Sequence, residues 1–94
     1  MFFNLHESRK VAMMKQVARR FKRLLMQEEI LMSHKIEKEK GKVCIDGFCV
    51  VSFAVNEKLK LSCRVHDRFI TQLEIEGAQE RIDTLIAAYP SAVE

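Results

Sequence analysis

Several absences narrow the reading of this chain before any motif is considered. It has three glycines and one proline in 94 residues, too few for a collagen-like or low-complexity chain, while 48% apolar and 31% charged residues make an ordinary globular balance. No apolar run approaches the ~18 residues of a membrane-spanning helix. Met1 to Leu5 is apolar, but no basic segment precedes it and no sufficient hydrophobic stretch follows, so no secretory signal is expected. Three cysteines is an odd count for a disulfide framework, which points to a reducing, cytoplasmic setting. No glycine loop suited to an oxyanion hole, no helix-turn-helix pair, no aromatic strand motif of the RNA-binding type and no zinc-finger spacing can be read.

The most informative absence is local. From Arg9 to Arg23 there is no Asp or Glu, while seven residues are basic: Arg9, Lys10, Lys15, Arg19, Arg20, Lys22 and Arg23. Residues 1–27 hold seven bases and one acid, and residues 28–94 nine bases and twelve acids. The basicity belongs to one element, an asymmetry that suggests an anionic partner.

That element reads as a basic amphipathic helix over about residues 8–39, with Ser8 as N-cap and Gly41 as stop. At about 100° per residue, Val11, Met14, Val17, Ala18, Phe21, Leu24, Leu25, Leu31, Met32 and Ile36 share one broad arc, with Lys15, Arg19, Arg20, Lys22 and Arg23 opposite. Met26 and Ile30 fall on the basic side. A helix of that length would reach close to 50 Å, longer than a chain of this size is wide, so it would kink or rest on a second copy or another protein.

From Val43 onward the apolar period becomes two. Strands are expected over about 43–45, 48–55, 59–65 and 69–76, with Asp46-Gly47 a two-residue hairpin turn pairing Ile45:Phe48, Cys44:Cys49 and Val43:Val50. Phe48 to Val55 is apolar on both faces, which suits a central strand or one that meets a partner. A short helix over about 78–88 carries Ala78, Ile82, Leu85, Ile86 and Tyr89 and ends at Pro90. The expected fold is α+β in one domain, 1–94: a long basic helix, an antiparallel meander of three or four strands and a short C-terminal helix.

Chemistry is sparse. Cys44, Cys49, Cys63 and His66 form C-x4-C-x13-C-x2-H, which matches no standard zinc pattern. A Cys63/His66 nucleophile pair is opposed by strand alternation, which sends the two side chains to opposite faces. No catalytic residue, cofactor or metal is therefore assigned, and small buried thiols in an intracellular core account for the cysteines. The basic face could be a solvated surface linked to Glu74, Glu76, Glu80 and Asp83. The preferred expectation is a small non-enzymatic interaction protein, of the kind phages or plasmids use to inhibit or adapt host machinery. It would contact a protein partner or a second copy through Lys15, Arg19, Arg20, Lys22, Arg23, Met26 and Ile30. Nucleic-acid binding by the same face is the alternative, and a membrane surface is disfavoured because the β segment needs the helix's apolar side.

Overall fold

The computed structural model describes residues 5–93, with side chains to residue 88. Helix α1 (Leu5–Met26) leads through a 3-10 turn (Glu29–Leu31) into strands β1 (Ile36–Glu39), β2 (Lys42–Ile45), β3 (Phe48–Val55) and β4 (Leu61–Val65), followed by α2 (Asp67–Leu73) and α3 (Ala78–Val93). The strands form one antiparallel sheet in the order β1-β2-β3-β4. The α+β class and the long first helix follow from the change of apolar period, 3.6 before Gln27 and two after Lys42.

Helix α1 buries Val17, Ala18, Phe21 and Leu25, a stripe at i, i+1, i+4 and i+8. It meets Val43, Ile45, Val50, Val51 and Phe53 of the sheet, and Leu31, Ile70, Ala78 and Ile82 complete the core. Phe21 packs edge-on against Phe53, with ring centroids 5.7 Å apart and planes at 70°. All three helices contribute to this cluster, so they cover one face of the sheet. The other face, Glu37, Glu39, Lys42, Cys44, Cys49, Ser52, Ala54, Ser62 and Arg64, has no buried residue.

Several expected boundaries are corrected. Ser8 lies inside α1, which already begins at Leu5 among the described residues. The helix expected over 8–39 stops at Met26, where Gln27 and Glu28 donate to the Leu24 and Leu25 carbonyls at 3.2 and 3.0 Å, tightening the last turn. The chain then folds back and Leu31 plugs the core with no exposed surface. Ile36-Glu37-Lys38-Glu39 fits a helix arc and a strand alternation equally well. Pairing of Ile36 with Ile45 and Lys38 with Val43 decides for the strand.

The strand expected over 69–76 is α2 followed by a turn. Phe69, Ile70 and Leu73 also satisfy i, i+3, i+4 spacing, and Phe69 and Ile70 donate to the His66 carbonyl to start the helix. Glu74 caps it in the left-handed region, φ 55°. Strand β4 begins at Leu61 rather than Leu59, because Asn56 Oδ1 accepts from the Lys58 and Lys60 N–H groups, both at 2.9 Å, and holds Leu59 at φ 60° in the turn. The backbone of α3 continues past Pro90 to Val93. Near a helix end the missing N–H leaves only the Ile86 carbonyl without its donor. The Tyr89 side chain lies outside the described residues.

The Asp46-Gly47 hairpin has both residues at positive φ, 50° and 86°, as a type I′ turn requires. Cys44 faces Cys49 and Ile45 faces Phe48, but Val43 faces Val51 rather than Val50. Val50 is the extra residue of a β-bulge, and both Val50 and Val51 reach the core without exposed surface. The bulge, which turns both Val50 and Val51 to the core, accounts for consecutive apolar residues before Ser52.

Gly41, expected as a helix stop, sits in the β1–β2 turn, where its carbonyl accepts from Phe53 N–H at 2.8 Å. A Cβ there would overlap the Met14 side chain and come within 2.7 Å of the Phe53 carbonyl oxygen. Gly41→Ala is expected to destabilise by about 1 to 3 kcal/mol through overpacking. Thermal unfolding of Gly41→Ala and of the double variant with Met14→Ala checks the cause. The second change relieves the flexible methionine but not the backbone oxygen, so rescue is partial.

The hairpin turn is latched to the segment before β1. Asp46 accepts from His34 Nδ1 at 2.6 Å and from the Lys35 N–H at 3.0 Å, while its own N–H donates to the Lys35 carbonyl at 2.8 Å. The His34 hydrogen bond, then that from Lys35, holds the Asp46 carboxyl below its ordinary value. A depressed carboxyl contributes stability that is fully present above its unfolded pKa, about 3.9, and is lost as pH falls through the lower folded value. Asp46→Asn should therefore be less stable than the parent above about pH 4, with the gap closing on acidification. Denaturant unfolding across that range would show a gap independent of pH if the carboxylate had no role.

Candidate docking surface

Helix α1 is anchored through its apolar stripe, and that anchoring determines where its cations point. Taking Phe21 as the centre of the buried side, Lys22, Lys15, Met26, Arg19, Arg23 and Arg20 spread over roughly 160° of the opposite side at about 100° per residue. Lys15, Arg19, Arg20 and Arg23 are exposed and Lys22 is half-buried at the margin. Lys15, Arg19 and Arg23 follow at intervals of four, a line about 12 Å long at ~1.5 Å per residue. Met26 lies within this arc with 53% of its surface exposed.

Ile30 is not part of the row. It belongs to the 3-10 turn, is 38% exposed, and its Cδ1 atom lies toward Gly77, 3.8 Å from where a β-carbon there would stand. The end of α1 at Met26 separates the two apolar residues that a single long helix would have aligned.

Three basic residues elsewhere are paired within the chain. Lys10 bridges Glu57 at 2.8 Å and Glu7 at 3.0 Å, Lys35 pairs with Glu37 at 3.1 Å, and Arg81 pairs with Glu28. Glu57, then Glu7, holds the Lys10 ammonium above its ordinary range, and Lys10 in turn holds Glu57 below the usual carboxylate value. Glu28 raises Arg81 in the same way. Among the described residues, Lys15, Arg19, Arg20, Lys22 and Arg23 form no ion pair. The acids suggested as their internal counterparts lie elsewhere: Glu74, Glu76 and Glu80 line the α2–α3 depression, and Asp83 accepts from Gln79 at 3.1 Å.

The remaining chemistry-bearing side chains are divided between the two faces of the sheet. Ser52 and His66 Nε2 are hydrogen-bonded at 3.0 Å, while Cys63 pairs with Phe53 on the helix-covered face, where burial pushes its thiol up to about 11. The Cys63/His66 juxtaposition is thus not formed. No group of three or more His, Cys, Asp or Glu among the described residues is placed to hold a metal ion. Sequence reading missed one surface feature, a depression of about 410 Å³ lined by Lys22, Glu37, Lys38, Glu39 and Cys44. It exists only because residues 36–39 form a strand beside α1.

No helix among the described residues is long and apolar enough to cross a membrane. Comparison with protein-family models, curated proteins and solved structures gives no match, so a functional reading rests on the exposed face of α1.

Proposed function

We propose that this chain is a non-enzymatic interaction protein, an inhibitor or adaptor of the phage or plasmid type, that docks through the exposed face of α1 on an acidic surface of a partner protein. One observation carries the reading: Lys15, Arg19, Arg20, Lys22 and Arg23 crowd the outward side of one helix, and none of them pairs with a carboxylate among the described residues. Isolated like charges repel one another and weaken a helix slightly. A partner's carboxylates would reverse that cost. Exposed Met26 within the same arc supports a protein over a phosphate backbone, since an adaptable thioether packs against side chains.

The test is affinity capture with the tagged full chain at low and high salt, in parallel with the triple variant Arg19→Glu, Arg20→Glu, Arg23→Glu. Capture of one protein in stoichiometric amount by the parent only, weakened by salt, supports the proposal. Recovery of the chain alone as a monomer would overturn it. A salt-dependent shift of random duplex or single-stranded nucleic acid, lost in the variant, would overturn it in favour of nucleic-acid binding.

A further inference from the structure

The most specific arrangement of reactive groups lies away from the basic face. We infer that Cys44 and Cys49 form a reversible dithiol–disulfide site on the open face of the sheet, oxidised by exchange with a low-molecular-weight disulfide such as oxidised glutathione. The inference is independent of what α1 binds.

Cys44 and Cys49 are direct cross-strand partners, one pair removed from the Asp46-Gly47 turn. In a two-residue hairpin the pair flanking the turn, Ile45 and Phe48, is the hydrogen-bonded one, and the next is a non-hydrogen-bonded pair, whose Cα atoms lie about 4.5 Å apart. That spacing falls within the 4.4–6.8 Å over which disulfides form. Both thiols are half-buried and face away from the core. Cys49 Sγ lies 3.7 Å from the Val51 carbonyl oxygen, toward which its thiol can donate. The bulge at Val50 interrupts the ladder beside it, where twist is most readily adjusted.

The depression lined by Lys22, Glu37, Lys38, Glu39 and Cys44 gives an incoming disulfide access to one sulfur. Burial and then neighbouring Cys49, with Glu39 and Glu37 adding to it, push the Cys44 thiol up, so exchange is slow at neutral pH and accelerates on alkalinisation. Cys63 lies on the covered face and has no cysteine opposite it.

The reaction balances through two exchanges. One cysteine thiolate attacks the small disulfide, forming a mixed disulfide and releasing one small thiolate. The second cysteine thiolate then attacks the protein-bound sulfur, closing the Cys44–Cys49 bond and releasing the other. The protein dithiol loses two electrons and two protons, and the small disulfide becomes two thiols.

The experiment equilibrates the reduced full chain with oxidised glutathione, traps free thiols with iodoacetamide and maps them by mass spectrometry. Cys44 and Cys49 should become protected together within one chain, Cys63 should remain alkylated, and dithiothreitol should restore all three thiols. Cys63→Ser should close in the same way, whereas Cys44→Ser should stop at the mixed disulfide on Cys49. Full alkylation of all three cysteines, a persistent mixed disulfide in the parent chain, a bond involving Cys63 or a bond between two chains would each overturn the inference.

Discussion

Phe21→Ala should lower stability by about 3 to 5 kcal/mol, the range for removing a fully buried aromatic ring. Phe21 has no exposed surface and stacks edge-on against Phe53. It lies between Ala18 and Leu25 on the apolar stripe that joins α1 to the sheet. Domains of this size have roughly 5 to 15 kcal/mol in total, so one deletion takes a large share of the margin. Met26→Ala, on the same helix but 53% exposed, should change stability by no more than about 0.5 kcal/mol. Denaturant unfolding with an unchanged slope measures both. Equal effects would mean that α1 does not pack through this face.

Reversing Arg19, Arg20 and Arg23 to Glu should weaken the proposed association by about 10- to 1,000-fold while the fold persists. An exposed ion pair contributes about 0.2 to 1 kcal/mol, and reversal replaces each attraction with a repulsion. Three positions then amount to a few kcal/mol, with tenfold in affinity for every 1.4 kcal/mol. The three side chains are exposed and make no ion pair among the described residues, so their replacement removes nothing the fold uses. Only Arg23, in the last turn of α1, loses a favourable interaction with the helix dipole, about 0.3 to 1 kcal/mol. Calorimetry of binding at two salt concentrations, beside a melting curve of the variant, separates the effects. Unchanged affinity in a folded variant would remove the basic face from the function.

The cationic part of the candidate surface was legible in the residues because a helix repeats every 3.6 positions, and the apolar stripe of Val17, Phe21 and Leu25 dictates what faces outward. Ile30 was misplaced because extrapolating that period beyond Met26 presumes a continuous helix. The depression beside Cys44 could not be foreseen while residues 36–39 were assigned to the helix. The Cys44 and Cys49 pairing was readable because a two-residue Asp-Gly turn sets register locally, and its limit was equally local: a bulge at Val50 shifted every pair beyond it.

What the amino-acid order determined by itself are the features governed by nearest neighbours: the α1 stripe with its outward cations, the type I′ hairpin at Asp46-Gly47, the central apolar strand and the amphipathic start of α3. Tertiary structure decided where two patterns competed. Ile36 to Glu39 became a strand because β2 offered backbone partners that a free helix end does not have. Residues 67–73 became a helix because Ile70 could reach the core from it. Local periodicity describes each segment's options, but burial and backbone pairing depend on residues distant in sequence, and their combined free energy exceeds the few tenths of a kcal/mol per residue by which helix and strand propensities differ.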